Sequence, residues 1–199
     1  MDFWFDPVCP YTWIASRWLL EVADLRPIEI CWQLMSLTML NEGRADDPEG
    51  EWGDYMARPV RVCAAVEQAH GQSGLESFYT ALGERIHHEG RWDAIELALA
   101  DAELPTTLAR AAEDTALDAI VRRSHDEAVA MVGSDLGSPV IAVPDADDAR
   151  IAFYGPVVAP IPRGDDALLL WDAIVALAHV PGFAELKRTA DLLADPPLS

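Results

Sequence analysis

The chain is poor in positive charge. Its 199 residues include 14 Lys and Arg side chains against 34 Asp and Glu, which gives a formal net charge of −20. Nucleic acids and anionic membrane surfaces are bound through clustered positive charge, so this balance argues against both kinds of partner. The sequence also lacks an apolar run long enough to span a membrane, and no basic and apolar leader follows Met1. We therefore expect a cytoplasmic protein.

Cysteine is also scarce, with Cys9, Cys31 and Cys63 as the three examples. An odd number of cysteines in a chain of this length argues against a secreted scaffold built on disulfides. No histidine or cysteine cluster has the spacing of a zinc site, so we predict no metal. A phosphate loop and a dinucleotide fingerprint are absent too, and we expect no tightly bound cofactor.

What the chain does contain is a globular composition, with 51% hydrophobic residues, and a clear order of elements. Residues 3–5 predict a short aromatic strand, and residues 10–24 predict a helix with Pro10 at its first position. Residues 28–34 alternate between apolar and polar side chains, which predicts a second strand. A strand–helix–strand unit this compact is expected to be right-handed with parallel strands.

The middle of the sequence predicts helices and no strand. After a polar loop over 41–53, amphipathic patterns rich in alanine are broken at glycine and proline. They predict helices over residues 55–70, 75–88, 92–102 and 114–132.

The last third of the sequence returns to strands. Residues 140–143 and 151–154 flank a turn-forming stretch at 144–148, which predicts an antiparallel hairpin. A final helix is predicted over 165–179, and the proline-rich tail from Ala194 is expected to fray.

This order of elements predicts an α/β, thioredoxin-like fold with an α-helical insertion. Residues 1–44 and 134–199 would build one discontinuous domain around the sheet, and residues 45–133 would form the helical insertion.

Cys9 is the first candidate for chemistry, because it lies where the first strand ends and the first helix begins. Unpaired N–H groups and the helix dipole stabilise an anion at that position, which predicts a lowered pKa for the Cys9 thiol. Thr12 follows by three residues, and its hydroxyl or N–H group could donate to the Cys9 sulfur. The alternative is that Cys9 is a small buried hydrophobic residue, a common fate of a free cysteine.

Ser138 and Pro139 form the second candidate feature, just before the predicted third strand. A thioredoxin-type fold places a cis-proline against the active cysteine at this point, and the extended Ser138 backbone would then bind a peptide or thiol. The alternative is an ordinary trans proline that opens a strand.

With these motifs in place, the sequence resembles the actinobacterial DsbA-like proteins typified by the mycothiol-dependent nitroreductase. The resemblance runs in order along nearly the whole chain. It implies a thioredoxin fold with a helical insertion and a cytoplasmic enzyme that uses mycothiol, the small thiol of actinobacteria, as cosubstrate. The motifs that carry it include Phe3-Trp4-Phe5-Asp6-Pro7-Val8-Cys9-Pro10, Glu67-Gln68-Ala69-His70-Gly71, Arg85-Ile86-His87, Phe153-Tyr154-Gly155-Pro156-Val157 and Glu185-Leu186-Lys187-Arg188.

One departure from the family pattern bears on every mechanism. The family has Cys-Pro-Trp-Cys where this chain has Cys9-Pro10-Tyr11-Thr12, so the resolving cysteine is absent. The resemblance implies that Pro10 and Asn41 belong to the binding pocket and that Tyr11 forms its aromatic wall. Tyr55 corresponds to a further pocket residue, although the local alignment contains a gap there. Cys31 and Cys63 are expected in a strand and a helix, with no obvious access to Cys9.

These features leave three hypotheses open. The first is a thiol-dependent oxidoreductase or transferase that uses Cys9 as a single nucleophile with mycothiol or a similar thiol, acting on a disulfide or an electrophile. The second is a non-redox isomerase or conjugating enzyme on the same scaffold, similar to kappa-class glutathione transferases and 2-hydroxychromene-2-carboxylate isomerases. The third is a non-catalytic binding protein with an ordinary Cys9 thiol. A homodimer is compatible with each.

Three weaker signals are interpreted as structural or left open. His87 and His88 are expected to form an exposed pair at a helix end. Arg17 and Arg163 could each hold an acidic substrate or serve as a surface or helix-terminal charge.

Overall fold

A computed structural model describes residues 1–44, 50–133, 137–144 and 149–187. Its sheet contains four strands, β1 (Asp2–Phe5), β2 (Cys31–Leu34), β3 (Val140–Pro144) and β4 (Arg150–Tyr154). Their order across the sheet is β2-β1-β3-β4. β1 and β2 are parallel, whereas β1 with β3 and β3 with β4 are antiparallel.

Along the described chain, helices lie between β1 and β2, between β2 and β3, and after β4. They are α1 (Pro10–Leu25), α2 (Leu37–Asn41), α3 (Gly53–Gly83), α4 (Ile95–Asp101), α5 (Asp118–Val132) and α6 (Gly164–Ala178). Shorter 3₁₀ stretches cover Gly50–Trp52, Thr106–Glu113 and Thr115–Leu117, and a π-helical turn covers Glu84–His88.

The two predicted strand pairs and the first and last predicted helices are confirmed, with small shifts at their ends. α2 was not predicted, since its five residues lie between the expected strand and the expected loop. The predicted break near Gly71 is a sharp kink inside α3, where Gly71 has φ 68° and ψ −165°. A residue without Cβ takes this conformation at little cost. Residues 145–148 of the predicted turn, and the tail from Ala194, lie outside the described residues.

The core contains large aromatic side chains on both sides of the central strand. Phe5 of β1 stacks on Tyr79 of α3 with ring centroids 4.1 Å apart, and Trp32 of β2 packs edge-on against Phe5 at 5.8 Å. On α1, the indole N–H of Trp18 donates to the Ala167 carbonyl of α6 at 2.9 Å. Phe5 and Trp32 therefore join the sheet to α3, and Trp18 joins α1 to α6.

Gln72 connects α3 to the outer edge of the sheet, immediately after the kink at Gly71. Its side-chain oxygen accepts from the Trp32 backbone N–H at 2.6 Å, and its NH₂ group donates to the Trp32 carbonyl at 3.0 Å. β2 is an edge strand, and the side-chain amide here occupies both hydrogen-bonding groups of one of its residues.

The architecture is mixed α/β and compatible with a thioredoxin-like fold. The division into a discontinuous domain and an insertion over 45–133 remains a prediction. Within the described residues, none of the helices has the length and apolar character needed to cross a membrane.

Candidate active site

The loop between β1 and α1 is held from inside by Asp6. Its buried carboxylate accepts from the Val8 backbone N–H at 2.9 Å and from the Leu37 N–H at 2.7 Å. The Asp6 carbonyl also accepts from the Cys9 N–H at 3.1 Å. Because one side chain binds both this loop and the first residue of α2, it fixes the position at which Cys9 begins the helix.

Cys9 is the N-cap residue of α1, as predicted from the order of strand and helix. Its backbone is extended, and its carbonyl accepts the first helical hydrogen bond from Trp13 N–H at 3.0 Å. The thiol donates to the Ser138 carbonyl with a sulfur-to-oxygen distance of 3.8 Å. Cys9 is only 5% exposed, so the sulfur is nearly covered in this conformation.

Thr12 and Ser138 meet beside the sulfur, although 126 positions separate them in the sequence. The Thr12 hydroxyl donates to the Ser138 hydroxyl oxygen at 2.8 Å, and both residues are buried. The Ser138–Pro139 peptide bond is cis, which agrees with the predicted conformation. The structure therefore brings together four of the predicted site residues, Cys9, Thr12, Ser138 and Pro139.

The direction of the Cys9 pKa differs from the prediction. Burial raises the pKa of the Cys9 thiol, and this outweighs the hydrogen bonds from Ser138 and from the Thr12 hydroxyl and N–H, which lower it. The Asp6 carboxylate raises the pKa further. The position of Cys9 at the start of a helix, which the sequence indicated, does supply donors to a thiolate. The prediction was wrong because the extent of burial was not visible there, and desolvation acts against the charged form.

Two tyrosines flank Cys9. Tyr11 follows Pro10 in the first turn of α1, and Tyr154 ends β4, opposite Val140. Burial and then electrostatic repulsion from Cys9 raise the pKa of each phenol, and Tyr11 adds to the effect on Tyr154. Tyr11 was predicted at the site, whereas Tyr154 was missed as a site residue because only strand pairing brings it there.

The other predicted pocket residues lie on the helical side. Tyr55 of α3 lines a cavity of about 230 Å³ together with Val8, Arg58 and Trp92, and Val8 is the residue before Cys9. Asn41 is buried at the end of α2, whose first residue is bound to Asp6. Their roles in binding remain predictions, as do those of Pro10 and Tyr11.

His87 also reaches this site, contrary to the expectation of an exposed histidine pair. Its Nε2–H group donates to the Pro7 carbonyl at 3.1 Å, and its ring stacks on Trp13 with centroids 5.5 Å apart. Burial lowers the pKa of His87 to about 4, so the side chain is neutral at physiological pH. His88 is more exposed and accepts from the Trp13 indole N–H at 3.2 Å. The pattern of the helix showed no sign of these contacts.

The two candidate arginines are engaged within the protein. The Arg17 guanidinium lies 4.0 Å from the Trp13 ring centroid and donates to the Thr80 hydroxyl at 3.0 Å. Arg163 forms an ion pair with Glu21 at 2.7 Å on the surface. The ion pair accounts for Arg163, whereas Nη2 of Arg17 is buried and has no hydrogen-bond partner within the described residues.

The remaining cysteines are free thiols in separate places. Cys31 lies in β2, where its sulfur accepts from the Gln33 side-chain amide at 3.3 Å. Cys63 is fully buried in α3. In the part of the chain that the structure describes, no group of three His, Cys, Asp or Glu side chains could hold a metal ion.

The site thus contains a buried thiol at the start of a helix, in contact with a loop that holds a cis-proline. This arrangement defines a protein with a thiol site on a scaffold compatible with the thioredoxin fold. Comparison with known proteins agrees with this class. Residues 8–188 match the family model described as Rv2466c-like, mycothiol-dependent nitroreductase Rv2466c. The chain belongs to this family of thiol-dependent redox enzymes, which supports a thiol-dependent oxidoreductase role with a small thiol as partner.

A relative from Mycobacterium tuberculosis (strain ATCC 25618 / H37Rv) is described as the uncharacterized protein Rv2286c. It is 30% identical to this chain over 195 residues, which cover 94% of this chain and 81% of the relative. The resemblance inferred from the sequence motifs is confirmed at the level of the family.

Proposed function

We propose that the protein is a DsbA-like oxidoreductase of the cytoplasm that uses Cys9 as a single nucleophilic thiol and mycothiol as cosubstrate. In this proposal the fold is thioredoxin-like, of the type shared by DsbA and kappa-class glutathione transferases, with residues 45–133 as the helical insertion. The observation that carries it is the convergence of Cys9 Sγ with the Ser138 carbonyl at 3.8 Å, beside the Thr12–Ser138 hydroxyl pair.

The missing second cysteine determines the reaction sequence. The Cys9 thiolate attacks one sulfur of a mixed disulfide, forms a new S–S bond to it, and releases the other sulfur as a thiolate. An external thiol then attacks the sulfur that is bound to Cys9. Cys9 is released, and the external thiol leaves as part of a new disulfide. This disulfide joins the external thiol to the sulfur that Cys9 took from the substrate, so one disulfide is exchanged for another and the substrate's other sulfur is released as a thiol. Nitroreduction by this route needs two external thiols rather than an internal dithiol.

The raised pKa of Cys9 makes thiolate formation part of this mechanism. In this conformation the thiol keeps its proton and donates a hydrogen bond to the Ser138 carbonyl. Once the proton is lost to solvent, the Ser138 hydroxyl and the Thr12 hydroxyl and N–H group, which lower the pKa, are the donors to the anion. Reaction rates should therefore increase with pH through the alkaline range in which the thiol ionises.

The test is the formation of a mixed disulfide on Cys9. Incubation of the reduced protein with mycothiol disulfide should add one mycothiol, and peptide mapping by mass spectrometry should place it on Cys9. Cys9→Ser should remove the adduct, whereas the matched variant Cys31→Ser, at the half-exposed thiol of β2, should retain it. Absence of the adduct from the wild-type protein, or its placement on Cys31, would contradict the proposal.

A second candidate is a non-redox conjugating enzyme or isomerase, as in the second hypothesis from the sequence. Thr12 favours it, because a hydroxyl bonded to Ser138 stands where a redox dithiol would have its second sulfur. Addition of a thiol to an electrophile needs only one nucleophile. If product forms while mass spectrometry shows Cys9 fully reduced throughout turnover, this candidate replaces the redox route.

The third alternative, a binding protein without chemistry, is favoured by the raised pKa of the closed Cys9 site. It predicts that Cys9 reacts with mycothiol disulfide and with iodoacetamide no faster than an ordinary thiol does. The mixed-disulfide experiment therefore separates this alternative from the redox route, and the rate of alkylation by iodoacetamide separates it from both enzymatic ones.

A further inference from the structure

We propose that Tyr154 is a catalytic hydrogen-bond donor, whose phenolic hydroxyl binds the sulfur that leaves when Cys9 attacks a disulfide. The inference rests on the proposed function, because it concerns the disulfide that reacts at Cys9. It also assigns a task to a group that lies outside the Cys9–Thr12 motif.

The backbone places Tyr154 against the loop that contacts Cys9. Tyr154 pairs with Val140 across β3 and β4, and the next N–H group, that of Gly155, donates to the Pro139 carbonyl at 2.9 Å. The phenol lies over Gly137, where an added Cβ atom would be 3.3 Å from the hydroxyl oxygen. A glycine at this position leaves the room that the tyrosine ring occupies beside Ser138.

The Tyr154 side chain is near the thiol, and the residue is about half exposed. Tyr154 is 47% exposed, whereas Cys9 is 5% exposed, so the tyrosine is the more accessible of the two residues. Cys9 is close enough for its charge to raise the pKa of Tyr154, after the effect of burial. The phenol therefore keeps its proton near neutral pH and acts as a donor.

The other hydroxyls at the site lie on the side of the attacking sulfur. Thr12 donates to Ser138, and both lie buried next to the attacking sulfur rather than at the surface. These groups are placed to stabilise the Cys9 thiolate. Tyr154, at the exposed side, is placed to contact the second sulfur of a bound disulfide.

The chemical step balances without a further reactant. The Cys9 thiolate forms a bond to one sulfur of R–S–S–R, the S–S bond breaks, and its electron pair leaves on the other sulfur as R–S⁻. Tyr154 O–H donates a hydrogen bond to this thiolate, and the proton that the thiolate finally takes up comes from solvent. Stabilisation matters most when the leaving thiol has a high pKa, since such a thiolate is the poorer leaving group.

This dependence on the leaving group provides the test. Tyr154→Phe removes the hydroxyl and retains the ring. With bis(2-hydroxyethyl) disulfide, whose leaving group is a basic alkyl thiolate, the variant should thiolate Cys9 about ten-fold more slowly than the wild-type protein. With 5,5′-dithiobis(2-nitrobenzoate), whose aromatic thiolate leaves readily, the rate should change by less than about two-fold. Stopped-flow absorbance and intact-mass spectrometry measure the two rates.

Each other outcome identifies what has failed. Equal slowing with both reagents would show that the substitution disturbs the site in general, and unchanged rates with both would show that the hydroxyl takes no part. Either result overturns the inference and leaves the proposed function standing. If neither reagent thiolates Cys9 in the wild-type protein, the proposed function itself fails.

Discussion

Cys9 and Cys63 are both buried, free thiols, yet they lie in opposite chemical surroundings. Cys9 is 5% exposed and Cys63 is fully covered, and burial raises the pKa of both thiols. Cys9 begins a helix, next to hydroxyl and N–H donors that lower its pKa. Cys63 lies inside α3, and the carboxylates of Asp6 and Glu67 add to the rise in its pKa.

This difference shows that burial alone does not distinguish a functional thiol from a structural one. Desolvation opposes ionisation at both positions, so the neighbouring groups that stabilise or repel the thiolate determine which thiol can react. The Asp6 carboxylate raises the pKa of both thiols, but Ser138 and Thr12 lower the pKa of Cys9, whereas Glu67 adds to the rise in the pKa of Cys63.

The largest expected effect is a difference in alkylation between the two cysteines. In native protein with iodoacetamide at pH 8, Cys9 should react at least about a hundred-fold faster than Cys63, because Cys63 requires a larger opening of the core. Quantitative peptide mass spectrometry of timed samples measures both rates in one experiment. Comparable rates, or faster modification of Cys63, would break the comparison.

The next effect concerns His87, which contacts the loop before Cys9, and the loss of stability at acid pH. Its folded pKa of about 4 lies below the ordinary value of 6.5, so the unfolded chain binds the extra proton first as the pH falls. The free energy of unfolding should therefore decrease between pH 6.5 and pH 4, by up to about 3 kcal/mol from this residue. Chemical denaturation across this range measures the decrease.

His87→Gln is the matched variant for this test. Glutamine retains an N–H donor for the Pro7 carbonyl but does not titrate, so its stability should decrease less between pH 6.5 and pH 4. If wild-type and variant proteins lose the same stability over this range, His87 does not carry the proposed pH dependence.

The smallest effect concerns the donors to the Cys9 thiolate. Thr12→Val removes the hydroxyl that lowers the Cys9 pKa, so the pKa should rise further and alkylation at pH 7 should slow by about ten-fold. The pH dependence of the alkylation rate measures the shift.

Thr12→Ser keeps the hydroxyl and serves as the control, with a rate close to that of the wild-type protein. An unchanged rate in Thr12→Val, or an equal loss in both variants, would show that the hydroxyl is not the group that separates Cys9 from Cys63.

Much of the fold could be predicted because local patterns determine it. The period-two and aromatic strands, the Pro10 start of α1 and the kink at Gly71 depend on residues close together in the sequence. α2 was missed because five residues carry too little periodicity for a prediction. The irregular helix at Thr106–Glu113 was missed as well, because its 3₁₀ geometry does not follow the α-helical repeat.

The site was predictable where a motif or a topological rule specified it. Cys9, Thr12, Ser138 and Pro139 were found because a helix start and a position before a strand can be located in a sequence. The direction of the Cys9 pKa, the position of Tyr154 and the contact of His87 with Pro7 depend on burial and on pairings between distant segments. Such tertiary effects have no local signature.

The bidentate contact of Gln72 with Trp32 has a consequence for self-association. An edge strand with free N–H and C=O groups is a template on which another chain can add a strand and begin a continuous sheet. In β2 the side-chain amide satisfies both groups of Trp32, and Gly71 supplies the turn that precedes it. Gln72 thus occupies the position in which an added strand would pair with Trp32, which disfavours the addition of another strand at β2.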